Sequence, residues 1–388
     1  MTVPVAIRDL IPEVQAWRRD LHAHPELLYE LPRTAAFVAD RLRDFGCDVV
    51  RAGVGKSGVV AVIKGRKGDG RRVVALRADM DALPIDERTN LPYRSTAHGK
   101  MHASGHDGHT AMLLGAARHL AATRDFSGTA VIVFQPAEEG GGGAKAMLDD
   151  RLIDAFAIDE FYALHNAPNL PVGAFSIRKG PAMASADFFL LRLEGKGGHA
   201  AFPHQCRDAI VAGAQIVVAL QTIVSRNVDP FDACVVSVAR FAAGSTDNVL
   251  PQTAELEGTV RTLSPPVRDL AERRLREIVA GVAAACGVAA DVAYRRAYPP
   301  TINPPAQIDF AAAVAREVVG ADRLLADAPP VMGAEDFAFM LEARPGAFIW
   351  LGNGDSAGLH HPEYDFNDAA LPYGMAYFVR IVETALAP

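Results

Sequence analysis

The apolar positions of the chain change period twice. From its start to about Asp48 they recur at helical spacing, which predicts two helices; the second, over 34–42, carries Ala35, Val38, Ala39 and Leu42 and stops near Gly46. From Val59 the pattern becomes short runs that are apolar on both faces, 59–63, 73–78 and 129–134, set around a helical stretch at 110–122. Such alternation predicts a layered α/β domain with a largely buried sheet. Between about 186 and 294 the order changes to strand 188–194, helix 208–224, strand 234–241, strand 254–262, helix 267–285 and strand 290–295. That is the β-α-β-β-α-β order of a ferredoxin-like unit. Ala254-Glu255-Leu256-Glu257-Gly258-Thr259-Val260-Arg261 alternates cleanly, so this smaller sheet should keep one face wet. The expected organisation is α/β: a discontinuous main domain over 1–185 and 296–388 with a mixed central sheet flanked by helices, interrupted by an inserted α+β unit over 186–295.

Composition supports this division and narrows the function. A chain of 388 residues, 50% apolar and 22% charged, is long enough for two cores. A formal charge of -7 and a pI near 6.0 leave no basic footprint for nucleic acid or an anionic membrane. No run approaches the roughly 18 consecutive apolar residues of a membrane span, and the first residues lack a basic region followed by an apolar core, so a cytoplasmic location is expected. Cys47, Cys206, Cys234 and Cys286 are scattered singly, which predicts neither a disulfide framework nor a cysteine zinc site; all four are expected as buried small apolar residues.

Candidate chemistry concentrates in Met101-His102-Ala103-Ser104-Gly105-His106-Asp107-Gly108-His109-Thr110, just before the helical pattern. Three imidazoles and a carboxylate in ten residues are donor types that suit zinc, manganese and similar divalent ions; a polar loop capping a helix is the plainer alternative. Further polar residues fall just past the predicted strand ends: Asp79-Met80-Asp81, Glu138-Glu139, His165 and the loop with His360-His361. The C-terminal edge of an α/β sheet is where sites assemble. Two adjacent carboxylates repel one another, and a cation relieves the repulsion. One could bind the ion while its neighbour takes a proton from water, whose pKa a zinc ion lowers to about 7. Gly140-Gly141-Gly142-Gly143-Ala144-Lys145 and Gly195-Lys196-Gly197-Gly198 do not match the P-loop pattern, and no G-x-S-x-G elbow is present. His22-x-His24 precedes Pro25 and is read as structural.

These motifs together resemble the metal-dependent N-acyl-amino-acid amidohydrolases: hippurate hydrolases, auxin-conjugate hydrolases and, more distantly, aminoacylases and carboxypeptidase G enzymes. The resemblance runs nearly end to end, through Leu21-His22-Ala23-His24-Pro25-Glu26-Leu27, Arg77-Ala78-Asp79-Met80-Asp81-Ala82-Leu83-Pro84, the 101–110 stretch, Gln135-Pro136-Ala137-Glu138-Glu139-Gly140, Leu164-His165-Asn166, Gly195-Lys196-Gly197-Gly198-His199, Gly258-Thr259-Val260-Arg261, Gly333-Ala334-Glu335-Asp336-Phe337 and Leu359-His360-His361-Pro362. It implies a metallopeptidase-like catalytic domain over 1–185 and 296–388 and a dimerisation or lid domain over 186–295. By the same resemblance Glu138 is the general base, Ser104, His106, Glu139, His165 and His360 hold up to two metal ions, and Asp81 steadies the base or a ligand from behind. His199 is implied to help bind substrate or its oxyanion, across to a partner subunit of a homodimer. Asn248 and Arg261 are candidates for the substrate carboxylate, with a structural role as the alternative. The implied ions are manganese or zinc, ahead of cobalt or nickel, and the implied substrate is a small N-acyl amino acid. One departure stands out: where the family usually has a metal-bridging cysteine, this chain has Ser104, and a neutral hydroxyl is a poorer ligand than a thiolate. Two other readings stand beside this one, a dipeptidase or aminopeptidase using the same centre and a non-catalytic binding protein that has lost its metals.

Overall fold

The computed structural model describes residues 3–388, and its chain divides into two compact units: Met1–Ala182, Ile302–Pro329 and Asp336–Pro388 form one, Met183–Thr301 and Pro330–Glu335 the other.

The first unit is built on an eight-stranded mixed sheet in the order Val49–Val54, Gly58–Lys64, Thr129–Gln135, Val73–Asp79, Glu160–Pro168, Gly346–Gly354, Phe175–Ser176, Leu324–Leu325. Its four central strands, Thr129–Gln135 to Gly346–Gly354, run parallel, so their C-terminal ends share one edge. Val73–Asp79 is buried at every position, as a strand covered on both faces requires. The helix His106–Thr123 is buried along most of its length and packs against Ile11–Ala23 and Leu371–Ala385. The sheet strand Val49–Val54 has no counterpart in the sequence reading, because only Val54 is buried and the segment carries no continuous apolar run.

Two boundaries differ from expectation in ways that matter for the site. The helix expected from Thr110 begins at His106, because Gly105 turns the chain with φ 89° and lets the helix start inside the histidine cluster. His165, expected just past a strand, lies within Glu160–Pro168, whose pairing with Gly346–Gly354 extends it by several residues.

The second unit has a four-stranded antiparallel sheet in the order Cys234–Ala243, Thr253–Thr262, Ala186–Glu194, Ala289–Tyr298, with the helices Ala209–Thr222 and Pro265–Cys286 supplying the rest of its core. This is the ferredoxin-like strand order. The segment Ala209–Asn227 is long and apolar enough to cross a membrane by length and composition alone. In the fold it buries Ala209, Ala212, Ile216, Leu220 and Ile223 and leaves Ile210, Val211, Val218 and Val224 exposed. The four cysteines are free, and only Cys234 is buried; Cys47, Cys206 and Cys286 are half-buried, which corrects the expectation that all four lie in the core.

Candidate metal centre

The C-terminal edge of the parallel strands collects the candidate ligands. His106 heads its helix beneath the sheet edge, Glu138-Glu139 leave Thr129–Gln135 after Ala137 (φ 53°), and His360 (φ 64°) hangs on the loop after Gly346–Gly354. Left-handed backbone at two non-glycine residues, one beside the glutamates and one a candidate ligand, is local strain of the kind that persists at functional sites.

The contacts form a chain. His106 Nε2 lies 3.9 Å from Glu139 Oε1, His360 Nε2 lies 3.3 Å from the same oxygen, and Ser104 Oγ is 3.3 Å from His360 Nε2. The His165 ring packs edge-on to His106 with centroids 5.8 Å apart. Ligand atoms of His106, Glu138 and Glu139 all fall within 4.8 Å of one another, as do those of His106, His109 and His165. The structure therefore brings Ser104, His106, Glu139, His165 and His360 together with Glu138.

Asp81 sits behind both glutamates. Its Oδ1 accepts from the Glu138 amide at 2.9 Å and its Oδ2 from the Glu139 amide at 3.1 Å, while its carbonyl accepts from His106 Nδ1 at 2.8 Å. His165 Nδ1 likewise donates to a carbonyl, that of Asn166, at 2.8 Å. A histidine that donates through Nδ1 presents a lone pair at Nε2, the arrangement of a metal-ligating ring. His106 Nε2 is fully buried and has no hydrogen-bond partner. A buried ring nitrogen left over in this way, facing a carboxylate across 3.9 Å, fits a cation between them.

The local field also favours positive charge. Burial opposes protonation of His106, but Asp79, Asp81 and Glu139 outweigh it and push its pKa up to about 10. Burial raises the Glu139 carboxyl, yet His360, His106 and Ser104 hold it below the usual range. Deeper still, Arg77 donates to Asp79 (2.7 Å), Gln135 (2.8 Å) and Asp336 (3.2 Å), and Asp336 Oδ2 accepts from the Ala144 amide at 2.9 Å. This buried network braces the glycine-rich segment after Glu139, where a Cβ on Gly143 would stand 1.6 Å from the Pro136 carbonyl oxygen.

The sequence gives His109 no role of its own and marks His22-x-His24 as structural. His109, one helical turn after His106, donates from Nδ1 to Asp79 (2.7 Å) and accepts at Nε2 from the Asn166 amide (3.0 Å), so both of its nitrogens are engaged by the protein although the ring lies close to His106 and His165. The i, i+3 spacing from His106 puts both rings on one helix face, but only the partners reveal that one ring faces the site and the other backs it. His22, fully buried, bonds Asp107 through Nδ1 (2.8 Å) and approaches Glu87 through Nε2 (3.4 Å), outside the ligand cluster. His24 bonds the Asp20 carbonyl.

His22 gives a pH prediction. Burial lowers its pKa, but Asp107 and Glu87 outweigh burial and raise it from 6.5 to about 9. A folded-state pKa above the unfolded one adds stability that is complete below pH 6.5 and is lost as pH rises through about 9, here on the order of 3 kcal/mol. Urea unfolding at pH 6 and pH 9.5 should show this loss in the wild type and not in His22→Gln; equal losses in the two proteins would contradict it.

The remaining candidates lie in the second unit. His199 is exposed on the short strand Gly198–His199, paired with Val249–Leu250, and the Ala200 amide donates to the Asn248 carbonyl at 3.0 Å, so His199 and Asn248 are neighbours. Arg261 stands apart from them on Thr253–Thr262, its Nε bonded to Thr259 Oγ1 at 3.2 Å and its guanidinium 5.8 Å from the Phe188 ring centre.

A parallel sheet centre that delivers carboxylates and imidazoles to one edge is the layout of an α/β metallopeptidase-like protein. The chain belongs to the peptidase family M20/M25/M40, whose family model matches residues 75–384. It is similar to the hippurate hydrolase of Campylobacter jejuni, 41% identical over 375 residues that cover 97% of each chain. An N-acetylcysteine deacetylase of Bacillus subtilis is 39% identical over 95% of this chain and 96% of its own. Among solved structures, a Bacillus subtilis protein described as a dinuclear metal-binding peptidase of the M20 family superposes with a TM-score of 0.86 at 34% identity, over 98% of this chain and 99% of that one.

Proposed function

We propose that this protein hydrolyses the amide bond of N-acyl amino acids, releasing a carboxylic acid and a free amino acid, at a centre that holds divalent ions. The observation that carries this reading is the pair Glu138-Glu139 fixed by one carboxylate, Asp81, against His106 with its buried, unpartnered Nε2. Hippurate is an N-acyl amino acid, and so is N-acetylcysteine, so the named activities of both relatives belong to this substrate class. Bound ions supply positive charge that lowers the pKa of water and polarises the substrate carbonyl. Ser104, His106, Glu139, His165 and His360 hold them; imidazole and carboxylate donors suit manganese or zinc, ahead of cobalt or nickel. Glu138, its backbone tied to Asp81, takes a proton from the attacking water and delivers it to the leaving amine. His199 stabilises the developing oxyanion and Asn248, its neighbour, grips the substrate carboxylate; Arg261, apart from both and bonded to Thr259 Oγ1, takes the structural role that the sequence left open for it. The free cysteines agree with a reducing, cytoplasmic setting.

The reading is tested by amino-acid release from acetyl, benzoyl and indoleacetyl amino acids, with unblocked dipeptides alongside, in the presence of manganese, zinc, cobalt or nickel. Release from the blocked compounds alone supports it; release from dipeptides alone favours a peptidase at the same centre.

A homodimer through the second unit is part of the proposal, motivated by the exposed apolar face of Ala209–Asn227 and by Phe231, which is 100% exposed. Sedimentation should find a dimer, and mixing His199→Ala with Glu138→Gln subunits should recover part of the activity if His199 acts in the partner's site. A fully active monomer at every concentration would contradict this.

Ser104 sets occupancy. Its hydroxyl does not ionise near pH 7 as a thiol beside cations does, so one of two ions should bind weakly. The wild type is expected to be purified with less than two ions per chain and to gain activity with added metal, and Ser104→Cys to raise both together. Two tightly held ions in the wild type, unchanged by the substitution, would overturn this.

A further inference from the structure

We infer that Asn166 is a positioning residue that fixes the candidate metal ligands from behind, through hydrogen bonds its side chain and backbone make to three residues, Ser104 and His109 in the 101–110 stretch and Tyr364 in the C-terminal part of the chain. This rests on the metal-centre reading above. Asn166 is fully buried, directly after His165. Its Nδ2 donates to the Ser104 carbonyl at 2.6 Å and lies 3.1 Å from His109 Nε2, its backbone amide donates to the same nitrogen at 3.0 Å, and its Oδ1 accepts from the Tyr364 hydroxyl at 2.7 Å. Every one of these partners is tied to a candidate ligand. Ser104 is one itself, His109 shares its helix face with His106, and Tyr364 follows His360 by four residues. The His360 amide in turn donates to the Ala103 carbonyl at 2.8 Å, closing the loop onto the Ser104 segment.

The chain of bonds also fixes the direction of each donor. The Asn166 backbone N–H can only donate, so His109 Nε2 carries a lone pair and accepts, which leaves Nδ1 to donate to Asp79. That lone pair commits the Asn166 amide nitrogen to its side and leaves Oδ1 for Tyr364. No alternative amide orientation satisfies the three partners. Space is made for this junction by Gly105, where a Cβ would stand 2.2 Å from Asn166 Nδ2 and 2.6 Å from the Tyr364 hydroxyl. The sequence places these residues up to 198 positions apart, and one buried amide brings their segments into register. Hydrogen-bonding partners behind metal ligands typically alter affinity by about 10–100-fold when removed.

The test is chelator competition for zinc at a temperature where each protein is folded, with the visible absorption of the cobalt-loaded protein as a report of ligand geometry and thermal unfolding of the metal-free protein as a report of fold. Asn166→Ala is expected to weaken zinc at least ~10-fold and to change the cobalt spectrum. Asn166→Asp, equal in size, keeps the bond to Tyr364 but loses both donations; it should also weaken zinc, although its added negative charge would by attraction alone tighten a cation. It keeps the test decisive if the alanine variant does not fold. Wild-type affinity and an unchanged cobalt spectrum in either folded variant, even with a lowered melting temperature, would reduce Asn166 to a structural role and overturn the inference. A wild type that binds neither zinc nor cobalt would instead overturn the metal-centre reading, and this inference with it.

Discussion

Glu138→Gln is expected to leave the bound metal near its wild-type level while lowering kcat at least ~100-fold, the lower end of what a general base contributes. Glutamine matches glutamate in shape and cannot take a proton from water. The backbone amide of residue 138 donates to Asp81 Oδ1 and its side-chain Oε1 accepts from the Asp336 amide at 3.4 Å; the substitution leaves the first bond intact, and an amide oxygen can keep the second. Ligand geometry at His106 and Glu139 should therefore persist, and the loss should appear in kcat rather than in metal content. If the variant loses metal as fast as activity, the roles of the two glutamates are reversed.

Glu139→Ala is expected to do the opposite and empty the site. Glu139 is the residue between His106 and His360, 3.9 Å from one ring nitrogen and 3.3 Å from the other. Without its charge, His106 and His360 lose the carboxylate they share; Asp79 Oδ2 stays 3.7 Å from His106 Nε2, but nothing replaces the anion at His360, and a divalent ion loses a charged donor. Since removing even an outer partner of a metal ligand costs about 10–100-fold in affinity, loss of this carboxylate should weaken metal by at least ~100-fold. Metal analysis after dialysis against limiting chelator checks this; a variant that keeps wild-type metal and fails only in turnover would contradict the assignment.

Much of the architecture is legible in the residues because it depends on local pattern. Strands buried on both faces, such as Val73–Asp79, read as unbroken apolar runs, and the alternation in Thr253–Thr262 marks a sheet with one wet face. The strand and helix order of the second unit follows from the same cues. At the site, Glu138-Glu139 and the 101–110 cluster are conspicuous because charged and imidazole groups are dense there. What the sequence does not display is the layer behind them. Arg77 looks like an interruption of an apolar strand until its partners Asp79, Gln135 and Asp336 are seen, the last 259 positions away. His109 looks as good a ligand as His106 until both of its nitrogens are found engaged. Asn166 carries no signal beyond standing next to His165. Hydrogen-bond partners at long sequence separation are set by packing of the whole unit, and no local period encodes them.

Hydrolysis of N-acyl amino acids by this protein is expected to require divalent ions held by the imidazoles and carboxylates at the sheet edge. The most direct measurement follows glycine release from N-benzoylglycine together with bound metal on one sample, first as purified, then after exhaustive chelation, then after return of manganese or zinc. Activity that falls to background with metal content and recovers as the ions are restored is the predicted result. Glycine release that continues undiminished in the metal-free protein would contradict it.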